Sequence, residues 1–276
     1  MTKKTKKILL KARKQVFGEM LGNNPSLFQG EGFEFTELRE YVYGDDVRKI
    51  DWKTTAKLGK PFIKIYREER ELNVVTALML GGSCSFGTVK QKSELMAELV
   101  ALLGFSTVKN GDLFSQILFA DKLYHVSKPN KKFFAVEDAV RHIQDFEPLG
   151  KESDYKIFSD TLYKRLKRKS LLFIISDFVG EVDLGLLSKK HDVIALMVRD
   201  KFEEKPSELG YIRLMDMEKS EVFEGNFGEN EQSIYEKALL GNDAKVYAHF
   251  KKNAIRYVKL YTDEEPYIKL AKLLRR

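Results

Sequence analysis

The sequence predicts a three-layer α/β domain with a mostly parallel sheet over residues 72–276, and three observations support this. Leu72–Leu80, Leu171–Ser176 and Val193–Val198 are strand-sized and almost wholly apolar. A strand apolar on both faces is buried on both, as parallel strands are beneath covering helices. Between these segments lie helix-sized stretches whose apolar residues recur at spacings of three and four. Strands and helices alternate with no internal repeat or low-complexity linker, which argues for a parallel sheet covered on both sides.

In chain order, Lys6–Leu21 carries Ile8, Leu9, Ala12, Val16, Phe17 and Met20 at helical spacing, with a basic face opposite. Gly22–Gly32 is a loop by composition. Phe33–Glu71 is dense in charge and aromatics, with a strand-like piece at Phe62–Tyr66 and turn signals at Tyr43-Gly44-Asp45 and Leu58-Gly59. The alternation begins with a strand at Leu72–Leu80 and a loop at Gly81–Gly87. Leu95, Leu99, Leu102 and Leu103 mark a helix over 89–108, followed by a strand at Leu113–Ala120. One helix carries Val136, Ala139, Val140 and Ile143; the next carries Tyr155, Phe158, Leu162 and Leu166. After the strands Leu171–Ser176 and Val193–Val198 come a strand and short return, Tyr211–Met217 and Glu221–Phe223. A helix over 232–252, a strand at Ile255–Tyr261 and a helix from Glu264 complete the chain. The predicted domains are residues 1–71, an N-terminal helix with a small β-rich module, and 72–276, the sheet domain.

Hydrophobic residues make up 43% of the 276, with 19 Phe and 12 Tyr, which is ample for a core and excludes disorder. No stretch reaches the roughly 18–20 apolar residues that span a bilayer. Ile8–Leu10 is too short for the apolar core of a signal peptide, so a cytoplasmic protein is expected. Cys84, the single cysteine, can form no internal disulfide and belongs to no CxxC pattern. The net charge of +7 is concentrated in Lys3–Lys14, Lys164–Lys169 and Lys269–Arg276. With 41 acidic residues among 48 basic ones, a solvated surface is the expectation. A nucleic-acid-binding module using the basic termini is the alternative, although the usual recognition motifs are missing.

In open α/β sheets the functional crevice lies beyond the carboxyl ends of the strands. The residues placed there are Gly81–Gly87, Ala120–Asp121, Ser176–Asp177 and Arg199–Asp200. Gly82 and Gly87 have phosphate-loop spacing, but Thr88 follows Gly87 directly and the lysine is missing. Gly81 and Ser83 fit a nucleophile elbow, but Ser85 stands where it needs glycine. A serine hydrolase would use Ser83 with Asp177 and His191 or His249, in the chain order Ser, Asp, His. A metal-ion-dependent adhesion site needs Asp-x-Ser-x-Ser: Ser83 and Ser85 have that spacing and Asp177 follows a strand, but Gly81 replaces the first Asp. Histidines 125, 142, 191 and 249 show no metal-ligand spacing. The adjacent pairs Glu68-Glu69 and Glu203-Glu204 diverge on any element and form no acid–base couple.

The most specific signal precedes the sheet. Gly32 to Tyr41, Gly44-Asp45-Asp46-Val47-Arg48-Lys49-Ile50-Asp51-Trp52, Thr55-Ala56-Lys57 and Glu68-Glu69-Arg70 together resemble the hallmark of domain-of-unknown-function family 58. The match continues through Ser83, Ser85, Lys92, Gly111-Asp112, Ser176-Asp177-Phe178 and Arg199-Asp200. The resemblance implies a von Willebrand factor A-type sheet and no known catalytic activity. It also implies a MoxR-type AAA+ ATPase as partner, in the assembly or activation of client protein complexes. It places Ser153 where the metal site would carry Thr. With Gly81 in place of Asp, the set Ser83, Ser85, Ser153 and Asp177 keeps a single carboxylate, so weak or no Mg²⁺ binding and no other cofactor are expected. Glu34, Phe35, Arg39, Tyr41, Gly44, Asp45, Asp46, Arg48, Asp51 and Trp52 allow two readings. Their charges pair with one another and pin the segment onto the sheet domain, or they form a docking surface of the arginine and aromatic kind. The function expected is a non-enzymatic cytoplasmic adaptor that meets a membrane surface only through its client.

Overall fold

In the computed structural model, residues 2–18, 35–66, 71–207 and 210–274 are described. The chain divides into two compact units, one made of Met1–Phe28 with Leu72–Arg276 and the other of Gln29–Glu71. The first helix, α1 (Lys3–Phe17), starts at Thr2, whose hydroxyl accepts from Thr5 N at 3.2 Å. Its grouping with residues 29–71 in the predicted 1–71 domain is not what the structure has. Ile8, Leu9, Ala12 and Val16 are buried in the core of the sheet domain, so α1 belongs to that unit. The predicted extension to Leu21, the loop at 22–32, and the calls at Glu34, Glu68, Glu69 and Arg70 lie outside the described residues.

The smaller unit holds β1 (Phe35–Glu40), α2 (Trp52–Leu58) and β2 (Phe62–Tyr66). The strands pair antiparallel, with Leu38 opposite Lys64 and Glu40 opposite Phe62. Sequence patterning finds β2 but neither β1 nor α2. The seven residues of α2 are too few for a periodicity, and caps define the helix instead. Asp51 accepts from Lys53 N at 3.2 Å, and Gly59 closes the helix in the left-handed region at φ 71°.

The larger unit contains β3 (Asn73–Met79), α3 (Lys92–Lys109), β4 (Leu113–Phe119), β5 (Leu123–Val126), α4 (Phe133–Asp145), α5 (Tyr155–Arg165), β6 (Leu171–Ser176), α6 (Gly185–Lys190), β7 (Asp192–Arg199), α7 (Lys201–Glu204), β8 (Gly210–Met215), β9 (Val222–Phe227), α8 (Glu229–Lys252), β10 (Arg256–Tyr261) and α9 (Pro266–Leu274). Six strands form one sheet in the order β10-β7-β6-β3-β4-β5. It is parallel except for the antiparallel β4–β5 pair at one edge. Alternate residues leave opposite faces of a strand. Val74, Leu78, Phe173, Ile175, Ile194 and Leu196 therefore pack with α1, α3, α4 and α9. Val75, Ala77, Met79, Leu172, Ile174 and Ala195 pack with α5, α6 and α8. The three-layer, mostly parallel α/β architecture is present. β5, four residues with alternating burial, is the strand of this sheet that patterning missed. Among the described residues no helix is long and apolar enough to cross a membrane.

Candidate functional site

The strand order sets β6 between β3 and β7, so the residues following these three strands meet at one edge of the sheet. Asp177, next after β6, is 1% exposed. Its Oδ2 accepts from Ser83 Oγ at 2.6 Å and from Lys92 Nζ at 3.0 Å. Lys92 is the first residue of α3 and is wholly buried (0% exposed). Its ammonium also donates to Glu203 Oε1 at 2.6 Å. Beside them Arg199, at the end of β7, donates to Asp243 of α8 at 2.6 Å.

Burial opposes charge on Asp177, Lys92 and Arg199, and their mutual attraction overcomes it. Burial pushes Asp177 up, but the charges of Lys92 and Arg199 and the bonds from Ser83 and Lys92 hold it below the usual carboxylate value. Burial pulls Lys92 down, and the charges of Asp177 and Glu203 more than reverse that. Cys84, between Ser83 and Ser85, is buried, and its thiol is pushed well up by burial and then by Asp177.

Asp200 ties three strand ends together. Its carboxylate accepts from Thr88 N at 2.8 Å, from Thr88 Oγ1, from Phe202 N at 2.9 Å and from Thr262 Oγ1. The Thr88 bonds also explain why α3 begins three residues later than predicted. Residues 86–91 remain a loop held against the end of β7.

The adhesion-site residues are brought together in part. Ser83 meets Asp177, whereas the Oγ of Ser85 is buried with no hydrogen-bond partner among the described residues. Ser153 Oγ donates to Glu218 Oε1 at 2.9 Å, a residue that sequence reasoning did not single out. Glu218 lies in the turn between β8 and β9, where Asp216 Oδ1 accepts from Glu218 N at 2.8 Å. The glycine pair before Ser83 makes room for this turn. A Cβ on Gly81 would sit 2.0 Å from Ser153 Oγ and 2.6 Å from Glu218 Oε1; one on Gly82 would sit 1.8 Å from the Met217 carbonyl oxygen. The Gly81-Gly82 doublet is the sequence signal that something packs there. A carboxylate from the hairpin thus occupies space beside Gly81, where the adhesion-site pattern has Asp.

The Asp177 oxygen that faces Ser83 already carries an ammonium, and Ser153 is committed to Glu218.

Burial raises the Glu218 carboxyl, with Asp177 adding to the shift and the Ser153 bond opposing it. A raised carboxyl favours the folded state most below its unfolded value near 4.5, and that contribution is lost as pH rises through the folded value. Glu218→Gln is therefore expected to raise stability at pH 7 by on the order of a few tenths of a kcal/mol after solvent screening. The gain should vanish towards pH 4. Thermal melts across that range check it, and a variant less stable at pH 7 would show that the charge itself is required.

The hydrolase alternative finds no histidine beside Ser83. His249 Nε2 accepts from Leu184 N at 2.9 Å, and His191 precedes β7 at the opposite edge of the sheet. Glu203 and Glu204 diverge as expected, towards Lys92 and Lys259. The histidine expectation needs correction. Sequence spacing keeps them apart, yet the fold stacks His125 on His142 with ring centroids 3.8 Å apart.

In the smaller unit, Arg39 Nη2 donates to both Asp45 oxygens at 2.9 and 3.0 Å, and Asp45 also accepts from Val42 N at 2.9 Å. Arg48 pairs with Asp46 at 3.1 Å, Asp51 caps α2, and Gly44 turns the chain at φ 107°. Tyr41 is half-buried, while Tyr43 is fully exposed and Trp52 is 70% exposed. The side chain of Phe35 lies outside the described residues.

A family described as "Protein of unknown function DUF58" matches residues 37–239. The uncharacterized protein Rv1480 of Mycobacterium tuberculosis is 24% identical over 271 residues, covering 93% of this chain and 83% of its own. The uncharacterized protein Mb1516 of Mycobacterium bovis matches to the same extent. Among solved structures, the conserved hypothetical protein BatB from Bacteroides thetaiotaomicron aligns at a TM-score of 0.47 with 14% identity, over 74% of this chain and 97% of that one. An aerotolerance-related membrane protein from Bacteroides fragilis aligns at 0.46 with 10% identity, over 74% and 98%.

Proposed function

The chain belongs to the DUF58 family, and from that membership we propose that it is a non-enzymatic adaptor of von Willebrand factor A type, which binds a MoxR-type AAA+ ATPase through residues 35–58. The carrying observation is how this segment uses its side chains. Five of its charged side chains are spent on its own conformation, Arg39 with Asp45, Arg48 with Asp46, and Asp51 as a helix cap. Its large apolar groups Val42, Tyr43, Val47 and Trp52 remain exposed. A small framework held by ion pairs and presenting aromatics suits recognition, since aromatic residues and arginine carry most interface energy.

The sheet edge supports binding without a metal bridge, because Lys92 supplies the positive charge that an adhesion-site cation would bring to Asp177. The direct Ser83–Asp177 bond gives the serine no neutral base, which favours recognition over hydrolysis. Nucleic-acid binding is disfavoured by the fate of the basic N-terminus. Lys4 pairs with Glu94, and Lys11 with Glu98 and Glu265. The adaptor is proposed to act in the cytoplasm and to reach any membrane through its client.

The test is titration of a purified MoxR-type ATPase, with Mg²⁺ and ATP, against the full chain. Trp52→Ala is expected to weaken binding by about 30-fold or more, as an interface anchor worth roughly 2 kcal/mol or more would. Circular dichroism should show the variant folded. Equal affinity of variant and wild type would remove residues 35–58 from the interface. No binding by wild type would overturn the adaptor reading.

A further inference from the structure

We propose that His125, Asp138 and His142 form a binding site for one divalent transition-metal ion of the zinc class. The site lies on the edge strand β5 and the adjoining helix α4, apart from the strand-end network. His125 comes from β5, and Asp138 and His142 stand one turn apart on α4. Ligand atoms of all three lie within 4.8 Å of one another. The two rings stack with an interplanar angle of 27°, and His142 Nε2 lies 3.3 Å from Asp138 Oδ2.

The group carries marks of a ligand set beyond proximity. His125 Nε2 is buried with no hydrogen-bond partner among the described residues, although buried polar atoms nearly always have one. Arg141 Nη2 donates to Asp138 Oδ1 at 2.9 Å and turns the other oxygen towards the imidazoles. Such a bond to the far side of a ligand is how metal sites orient their carboxylates.

The donor chemistry selects the ion class. Two imidazole nitrogens and one carboxylate oxygen suit Zn²⁺ and its borderline neighbours, whereas Mg²⁺ and Ca²⁺ take oxygen shells. The side chains of Asp138 and His142 are 40% and 43% exposed, which leaves a fourth position to water. An ion here would tie β5 to α4 and hold the edge of the sheet.

Calorimetric titration of Zn²⁺ into the untagged, chelator-stripped full chain tests the site. One ion per chain should bind, with no heat from Mg²⁺. His142→Ala removes an exposed side chain and His125→Asn a less exposed one; each should weaken Zn²⁺ by at least about tenfold. His249→Ala should leave it unchanged. X-ray absorption of the zinc-loaded chain should show nitrogen neighbours at about 2.0–2.1 Å. Absence of saturable binding overturns the proposal, as does undiminished binding in the His125→Asn, His142→Ala double variant.

Discussion

Replacing Lys92 with methionine is expected to lower the unfolding free energy at pH 7 by about 3–5 kcal/mol, the usual result of removing one partner from a buried ion pair. In a chain of this size that is a fall of roughly 10 °C in the thermal midpoint. Methionine restores much of the packed volume, so the loss reports charge rather than a cavity. Asp177 and Glu203 both bond the ammonium, and both would be left in a poorly hydrated place.

The pH dependence separates this cause from others. In the wild type, the lowered Asp177 contributes stability above its unfolded value near 3.8 and loses it as pH falls. The raised Lys92 contributes below its unfolded value near 10.5 and loses that as pH rises. Wild-type stability from this pair is therefore flat through neutrality. Without the ammonium the Asp177 carboxyl loses the charge that lowers it, so the variant's deficit should shrink as pH falls towards 4. Adding Asp177→Asn to Lys92→Met should cost less than the sum of the two single changes, since both remove the same interaction. A loss below about 1 kcal/mol for Lys92→Met would place the variant in the ordinary range of substitutions and end the argument that the pair is energetically coupled.

Asp200→Ala should be nearly as severe, at about 3–5 kcal/mol, because it deprives several donors at once in a place that is 0% exposed. Thr88 N, Phe202 N and the hydroxyls of Thr88 and Thr262 all depend on this carboxylate. Burial works against its charge, and these bonds hold it below the usual carboxylate value. Asp200→Asn keeps one acceptor oxygen and should recover part of the loss. Denaturant unfolding of the two variants beside wild type measures this, and equal stability of Asp200→Ala and wild type would contradict it.

Much of the sheet domain was legible in the sequence because burial on both faces leaves an unmistakable apolar run. Leu72–Leu80 and Val193–Val198 read as interior strands, and β3 and β7 take interior places in the sheet. What escaped notice rests on caps or on distance. The helix α2 exists through Asp51 and Gly59 rather than through a hydrophobic period. The strand β5 is too short to show one. At the candidate site, Ser83 and Asp177 were legible because each follows a buried strand. Lys92 appeared only as part of a resemblance, since a lysine at a helix start ordinarily points to solvent. Glu218 stands 65 positions from the Ser153 it touches, and only the Gly81-Gly82 doublet hinted at it. His125 and His142 lie on different elements, and their meeting depends on how the sheet edge packs.

The strand order carries a consequence for biogenesis. On one side of β3 the sheet grows through β4 and β5; on the other it grows through β6, β7 and β10, each side in the order of synthesis. Parallel pairing must wait for the connecting helix, so each strand stands as an open edge until the next has been translated, and such non-local assembly is slow. The last wait falls on β7, buried at every position after Asp192, whose outer partner β10 begins more than fifty residues later. A nascent or truncated chain ending before Arg256 would present that apolar edge to its neighbours. Unpaired strands of this kind recruit other chains, so the final strand and its helix also act as the cover against aggregation.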